Sequence, residues 1–301
     1  MHCWLGLLFL WIMNSATGQT VSSTSALLQE PDRIKALALL SAMDTMQQST
    51  HWPHVAPVDF LANVRRNIED PYTFSTGRGT SFCAYGALSF TCLMNEPYRY
   101  ASCMVTLYQQ GESKYRKVVF TPSAAVRAAA GRMRYQGDLD IHPADQIWFL
   151  TLADRFKGYV NFFNKRYNRG DENTMWASTN LAKFNRMLRR MCKYKIGSRG
   201  SDFIRPWMKD KYAFIKSKMA EGEVYLYINN AVFRKKNHNN TQLIVPTHFI
   251  VLNELYKKEN GDIVVKYWDG SYKTQKEASL HSFRKIIYGI SWVKLSEAYE
   301  D

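Results

Sequence analysis

The sequence predicts an α+β protein in which helices come first and an antiparallel β-sheet follows. Two observations support this fold class. From residue 19 to about residue 220, apolar side chains recur mostly at three- and four-residue steps, the spacing of one helix face. After Gly222, runs of β-branched and aromatic residues follow one another closely, which is typical of strands. We therefore expect one domain over residues 19–301, with a helical lobe over about 19–220 and a β-rich lobe over about 221–301.

Helical patterns follow one another through the first lobe. The clearest case starts at Pro97 and ends at Gly111, because proline favours the first turn of a helix and glycine the residue after its last turn. Helical patterns occupy residues 27–48, 97–111, 121–131, 143–157, 178–194 and 206–220.

Strand patterns begin after the last of these helices. Asn260-Gly261 lies between two apolar runs, and this dipeptide is the strongest short-range hairpin signal, so residues 247–268 are predicted to form one antiparallel hairpin. A later apolar segment, residues 283–295, is expected to complete the sheet. The predicted strands cover residues 223–229, 247–253 and 262–268.

The composition is that of an ordinary folded protein. The chain has 301 residues, of which 46% are hydrophobic and 22% are charged. These values exclude wholesale disorder, a collagen helix and a coiled coil. The formal net charge of +14 favours anionic partners, but it does not distinguish nucleic acid from acidic polymers or membrane surfaces.

The N-terminus has the features of a secretory signal peptide. An apolar run over residues 3–13 precedes small residues that end at Gly18. The run is too short to span a bilayer, and no later stretch reaches eighteen consecutive apolar residues. We therefore expect cleavage near Gly18 and Gln19, and a secreted or periplasmic protein with no stable membrane span.

Removal of the signal peptide leaves four cysteines, an even number that permits disulfides in an oxidising compartment. A domain of this size does not need such cross-links. Cys92 and Cys103 both fall on apolar helix faces, where a cysteine usually acts as a small buried hydrophobe. No pair has the CxxC spacing of a zinc ribbon or a redox motif.

A glycine-bearing loop runs into a helix at residues 77–88. Thr80 or Ser81 is placed to cap this helix, so Cys83 falls in its first turn. The backbone N–H groups and the positive end of the helix dipole there favour the thiolate, which is the form that attacks a carbonyl carbon. The same N–H groups can stabilise the oxyanion that results. A buried structural cysteine is the alternative interpretation.

His248 stands at the start of the first hairpin strand, and Asp269 stands just past the end of the second. With a two-residue turn His248 faces Lys273, and with a four-residue turn it faces Ser271. In both registers Asp269 lies on the same sheet face as His248, displaced along the ladder by two or four residues and within reach after a bend or bulge. An Asp there can hold the imidazole tautomer while His248 takes the proton of Cys83. The alternative is a core histidine beside a simple turn.

This order of residues resembles the papain-like cysteine peptidase and amidase superfamily. Residues 79–87 are similar to its nucleophile helix, 247–252 to its histidine strand and 267–270 to the segment with its third residue. The resemblance implies a papain-like fold, with the nucleophile helix packed on the C-terminal antiparallel sheet. It also implies acyl transfer without a cofactor or metal, in which Cys83 is the nucleophile, His248 the base and then the acid, and Asp269 the orienting residue.

The oxyanion hole is where the chain departs from papain. Papain has a glutamine six residues before its cysteine, and this chain has Gly77 there. The donor has to come from Arg78, Thr80 or Ser81, or from a backbone N–H. The implied substrate is a peptide or amide, with an anionic or cell-wall-derived compound as one option. If this chain lacks such a donor, it is an inactive papain-like binding protein. This is the first alternative to the hydrolase function.

Two other clusters point to weaker hypotheses. His51 and His54 are three residues apart, but Pro53 breaks the helix that would align them, so we expect no metal site. A basic cluster on and after one predicted helix is interpreted as a solvated helix face, because no nucleic-acid motif accompanies it. A basic binder of an envelope polymer or nucleic acid is the second alternative, and the sequence leaves the oligomeric state open. The basic cluster comprises Arg186, Arg189, Arg190, Lys193 and Lys195.

Overall fold

The computed structural model describes residues 30–43, 45–77, 80–133, 141–156, 177–230, 246–270 and 272–299. Over these ranges the protein has the predicted α+β class: an antiparallel sheet lies between two layers of helices. The predicted signal peptide lies outside the described residues, and so does Arg78.

The first helical layer comes from the N-terminal part of the chain. Prolines at the starts of α2 and α4 and a left-handed Gly111, with φ of 72°, after α4 agree with the expected signals at helix ends. The layer consists of α1 (Glu30–Ser41), α2 (Pro57–Glu69), α3 (Cys83–Asn95), α4 (Pro97–Gln110), α5 (Ala124–Ala129), α6 (Pro143–Phe156) and α7 (Leu181–Met191).

The main sheet has six described strands in the order β3-β8-β4-β5-β6-β7, and all neighbours are antiparallel. A separate hairpin joins β1 (Ser113–Tyr115) and β2 (Val118–Phe120). The sheet strands are β3 (Tyr194–Gly200), β4 (Val224–Ile228), β5 (His248–Lys257), β6 (Ile263–Trp268), β7 (Lys273–Ala278) and β8 (Ile287–Ala298). The second helical layer is α8 (Lys211–Glu221) and α9 (Leu280–Ile286).

Helices cover both faces of the sheet. Tyr225 and Tyr227 of β4 belong to the core shared with α3 and α7, on what we call the first face. Val224, Leu226 and Ile228 belong to the core shared with α8 and α9, on the second face. All residues of β4 are buried, because a strand covered on both sides has no solvent-facing positions.

The predicted hairpin over residues 247–268 is confirmed. Gly261 has φ of 88°, as a tight turn at Asn260-Gly261 requires. Val251 pairs with Trp268 and Leu252 with Tyr267, whereas nearer the turn Lys257 pairs with Ile263. The connection between the two strands therefore covers residues 258–262, and neither the two-residue nor the four-residue turn is observed. A bulge between Leu252 and Glu254 shifts the pairing farther along.

The predicted helical lobe up to residue 220 also contains strands in two places. The β1–β2 hairpin and β3 both lie within that part of the chain. β3 forms an edge of the sheet, and its partly exposed residues do not alternate between apolar and polar types. β7 lies at the other edge and has the sequence KTQKEA, so hydrophobic periodicity does not predict it either.

Several predicted helix bounds also need correction. The first helix ends at Ser41 rather than near residue 48, and α5 is much shorter than the predicted span 121–131. α8 starts after Asp210, not at Pro206, because the Asp210 carboxylate accepts a hydrogen bond from the Ala213 N–H at 3.0 Å and caps the helix. The segment predicted to complete the sheet begins as α9 and becomes β8 at Ile287.

In the described part of the chain, no helix combines the length and the hydropathy needed to cross a bilayer.

Candidate functional site

Cys83 is the first residue of α3, and its side chain is partly exposed. The helix begins its own hydrogen bonding with the Gly86 N–H, which donates to the Phe82 carbonyl at 2.8 Å. The N–H groups of Cys83, Ala84 and Tyr85 are therefore not used by the ladder of α3 and point beyond its start. The predicted position of Cys83 in the first turn of a helix is confirmed.

The loop before α3 is shaped by Thr76 and Thr80. The Thr76 N–H donates to the Gly270 carbonyl at 2.7 Å, which ties this loop to the residues after β6. The Thr80 hydroxyl donates to the Thr76 carbonyl at 2.7 Å and accepts from the Phe82 N–H at 3.2 Å. The helix has no side-chain cap, so the predicted capping by Thr80 or Ser81 is wrong: Thr80 bonds to the residue before the helix.

Ser81 makes a contact that the sequence did not predict. Its hydroxyl accepts a hydrogen bond from the Ser178 hydroxyl at 3.0 Å. The contact joins the segment before α7 to the start of α3, beside Cys83. No local pattern indicates it, because the two serines are far apart in sequence.

The direction in which α3 crosses the sheet determines the end of the sheet at which Cys83 lies. At the other end of this helix, the Asn95 amide donates to the Glu223 carboxylate at 2.8 Å, and Thr91 is hydrogen-bonded to Tyr225. Asn95 therefore lies where β4 begins, and Cys83 lies toward the end where β4 stops. Because the neighbouring strands are antiparallel, β5 begins and β6 ends there as well. The backbones of Cys83, His248 and Asp269 thus converge on one end of the sheet.

The contact between α3 and β6 is close. The rings of Phe90 and Trp268 have their centroids 5.3 Å apart. A Cβ atom at Gly86 would lie 3.7 Å from the Trp268 ring and only 2.4 Å from Thr76 Cγ2. Glycine at this position therefore allows the first turns of α3 to approach the loop that holds Gly270.

His248 is the first residue of β5 and pairs with Ile228. Phe249 and Val251 point to the first face, whereas Ile250 points to the second. Strand alternation therefore assigns the His248 side chain to the second face, together with Ile228 and opposite the face that α3 covers. Its Nε2 atom is buried. His248 and Cys83 therefore lie at the same end of the sheet but on opposite faces. The His248 side chain can approach Cys83 only around that end of the sheet.

Asp269 closes the turn after β6. Its carboxylate accepts a hydrogen bond from the Tyr272 N–H at 3.2 Å, and its own N–H donates to the Tyr272 carbonyl at 3.3 Å. Trp268, the residue before Asp269, pairs with Val251, which is three residues after His248. The carboxylate is thus placed near the start of β5 while it also stabilises a turn.

The other cysteines of the described chain differ from Cys83. Burial raises the pKa of Cys103 and Cys192 to about 12, and it raises the pKa of Cys92 well above its usual range. All three thiols are therefore neutral and inert at physiological pH. None of the four described cysteines is in a disulfide.

A basic cavity lies at the other end of α3. It has a volume of about 650 Å³, and α4, the β1–β2 hairpin and the end of α7 contribute its cations. A second cavity, of about 690 Å³, adjoins it and includes Asn95 and Glu96. The cations of the basic cavity are Arg99, Lys114, Arg116, Lys117, Arg189 and Arg190.

Within the described residues, two of these cations form ion pairs with a carboxylate and the other four do not. Glu96 pairs with Arg99 and Arg116, each at 2.8 Å. Among the described residues, no carboxylate lies within ion-pair distance of Lys114, Lys117, Arg189 or Arg190. The interpretation of Arg189 and Arg190 as part of a merely solvated helix face is incomplete, because they border a concave surface.

The described residues contain no group of three or more His, Cys, Asp or Glu side chains that could hold a metal ion. The His51 ring lies 3.2 Å from the Arg127 guanidinium, a cationic neighbour that disfavours a bound cation. Comparison of the chain with family models, curated proteins and solved structures gives no match.

Proposed function

We propose that the protein is a cysteine-dependent hydrolase of the papain-like kind, a peptidase or amidase, with Cys83 as its nucleophile. The position of Cys83 carries this proposal. Its thiol is partly exposed at the start of a helix, at the end of the sheet where β5 begins with His248. The remaining described cysteines are buried.

In the proposed reaction, the Cys83 sulfur adds to the carbonyl carbon of an amide, and the thiol proton passes to His248. The N–H groups at the start of α3 stabilise the oxyanion of the tetrahedral intermediate. The intermediate collapses to a thioester, and the leaving amine takes the proton from the imidazole. Water, deprotonated by His248, then releases the acid and restores the thiol.

The proposal places a specific demand on His248. Because alternation directs its side chain to the second face, the imidazole has to turn past the end of the sheet to reach Cys83. Its position at the first residue of β5 makes this turn short. Asp269 orients the ring less strictly than a dedicated partner would, since its carboxylate also accepts the Tyr272 N–H.

Alkylation with iodoacetamide, followed by mass spectrometry of the cysteine peptides, tests the proposal. We expect Cys83 to be labelled first, and His248→Ala to slow this labelling at neutral pH at least about tenfold, because a general base typically contributes more than that. His281→Ala is the matched control, since His281 is exposed on α9, and it should leave the rate unchanged. Equal, slow labelling of all cysteines, or no effect of His248→Ala, would contradict the mechanism.

A basic binding protein is the second candidate, favoured by the cavity at the far end of α3. Cations from several elements line one concave surface there, without a carboxylate among its lining residues. Such a site suits a compact anion bearing several phosphate or sulfate groups. If Cys83 is unreactive, this binding function would stand on its own in an inactive papain-like protein.

A further inference from the structure

The loop between β3 and α8 presents three large apolar side chains to solvent. Phe203 is 71% exposed, Ile204 76% and Trp207 91%, and these are the three most exposed large apolar residues in the described part of the chain. We call these three side chains the apolar tip. Single exposed apolar residues are common on soluble proteins, but three such residues within one short loop mark an interaction surface.

The backbone of this loop is held firmly. The Ser201 hydroxyl accepts hydrogen bonds from the N–H groups of Phe203 and Ile204, at 3.3 Å and 2.8 Å. Arg205 donates to the Lys285 carbonyl at 2.6 Å and to the Tyr288 hydroxyl at 2.7 Å, and its guanidinium lies over the Tyr288 ring. The apolar tip is therefore exposed by a braced loop, not by a loose one that could fold back onto the core.

Cations surround the base of the apolar tip. Arg205, Lys209, Arg284 and Lys285 are all exposed. Burial, together with the positive charges of Arg205 and Arg284, lowers the pKa of Lys211 to about 8, so these cations are close enough to repel one another.

The two carboxylates of this segment do not neutralise the cations by ion pairs. Asp202 accepts the Leu181 N–H at 2.9 Å, and Asp210 accepts the Ala213 N–H at 3.0 Å, so both are directed to the starts of helices. No ion pair links either carboxylate to a cation among the described residues. The base of the loop thus keeps a net positive charge.

We propose that the apolar tip docks the protein on the surface of an anionic phospholipid bilayer. Phe203, Ile204 and Trp207 enter the boundary between headgroups and acyl chains, while the cations at their base contact lipid phosphates. Aromatic and aliphatic side chains backed by Lys and Arg are the combination that favours this interface. The apolar side chains alone would suit a protein groove equally well, and the charge around them favours the lipid.

Docking in this way orients the whole molecule. β3 ends at Gly200, which pairs with Gly289 near the start of β8, so the apolar tip lies at the same end of the sheet as Cys83. The hydrogen bond from Leu181 to Asp202 connects it to the segment that contacts Ser81. The docking proposal does not depend on catalysis, but it brings the candidate site close to the membrane plane.

Flotation of the full chain with vesicles tests the proposal. The vesicles contain phosphatidylcholine and phosphatidylserine at about 3:1, and matched vesicles contain phosphatidylcholine alone. We expect binding to the anionic vesicles, and a loss of about tenfold or more in Phe203→Ser/Ile204→Ser/Trp207→Ser. Val58→Ser/Val119→Ser removes exposed apolar side chains elsewhere and should bind like the wild type.

A matched pair of double variants tests the contribution of the cations to vesicle binding. Lys209→Glu/Lys285→Glu should weaken binding to anionic vesicles about tenfold or more, because each cation near such a surface contributes to attraction. Lys35→Glu/Lys257→Glu carries the same net charge change at exposed sites elsewhere and should have much less effect. Equal losses in both pairs would attribute binding to overall charge and overturn the proposal.

Fluorescence provides a second readout that does not depend on complete loss of binding. Trp207 is exposed, whereas Trp52, Trp148 and Trp268 are fully buried. Brominated lipids should quench a fluorescence component that disappears in Trp207→Phe, with flotation largely retained. No flotation of the wild type, unchanged flotation of the triple variant, or no Trp207-dependent quenching would each overturn the proposal.

Discussion

At the scale of single residues, Gly86 decides how closely α3 approaches the loop that binds Gly270. A Cβ atom at Gly86 would lie 2.4 Å from Thr76 Cγ2, far closer than carbon atoms that are not bonded approach one another. Thr76 cannot move away freely, because its N–H is bonded to the Gly270 carbonyl. The start of the Cys83 helix therefore depends on a close approach between glycine and threonine.

We expect Gly86→Ala to lower the free energy of unfolding by about 1–3 kcal/mol, the usual cost of overpacking. Helix propensity alone would favour alanine by about 1 kcal/mol, so a net loss shows that the clash outweighs propensity. In a Thr76→Ser background, which lacks the clashing methyl group, the same change should be neutral or stabilising. Urea unfolding of the four proteins measures the coupling, and an equal cost in both backgrounds would refute the explanation.

The sequence identified some of these residues and not others, for a physical reason. Cys83 was placed in the first turn of a helix because that position depends on a local loop-to-helix pattern. The hydrogen bonds from Thr76 to Gly270 and from Ser178 to Ser81 depend on contacts between distant segments. Local pattern located the candidate nucleophile, but it misassigned Thr80 as a helix cap and did not reveal the surroundings of Cys83.

At the scale of elements, the start of α6 holds a buried acid. Asp145 is fully buried and accepts hydrogen bonds from Asn67 at 2.6 Å and from Asn63 at 3.2 Å. Asn63 in turn accepts the N–H groups of Ala144 and Asp145, at 3.0 Å and 3.1 Å. Burial raises the pKa of Asp145 to about 7, although the amides and the Arg66 charge act in the opposite direction.

This pKa predicts a pH-dependent stability. An acid with a raised pKa in the folded state binds its proton more tightly than in the unfolded chain, so folding is most favoured below pH 4 as far as this group is concerned. The contribution is lost as the pH rises from about 4 to about 7, by up to about 4 kcal/mol. Asp145→Asn should flatten the slope between pH 5 and pH 7.5 in urea unfolding, and Asp59→Asn, at an exposed site, should not. A slope unchanged by Asp145→Asn would disprove the assignment.

The strands show where sequence patterns succeed and fail. The β5–β6 hairpin was predictable, because Asn260-Gly261 is a turn signal between two apolar runs. β3 and β7 were missed because they occupy the edges of the sheet and carry polar residues. An edge strand is specified by its neighbour's backbone more than by its own hydrophobic pattern. The face of His248 was also beyond the prediction, since it depends on which helices cover each side.

At the scale of the whole molecule, the positive charge is distributed in a way that the net value of +14 does not reveal. The basic cavity, with Arg189 and Arg190, lies where α3 ends, and Cys83 lies where it begins. A helix of this length separates its ends by about 18 Å, whereas salt screens exposed charges over about 8 Å at physiological ionic strength. The net positive charge favours anionic partners, but whether it attracts the substrate that Cys83 attacks therefore requires a direct test.

We expect the two ends to act independently. Tripolyphosphate, a compact polyanion, should bind the wild type and raise its melting temperature, and Arg189→Glu/Arg190→Glu should weaken this binding about tenfold or more, since these side chains have no carboxylate partner among the described residues. Because salt screens the charges at the far end of α3, neutral iodoacetamide should label Cys83 of the same double variant at a rate within about twofold of the wild-type rate.

Cys83→Ser should lose the labelling and keep the polyanion affinity, and Lys35→Glu/Lys257→Glu should change neither by much. A Cys83 rate that falls together with polyanion affinity in the arginine variant would mean that the cavity and the candidate active site form one functional unit.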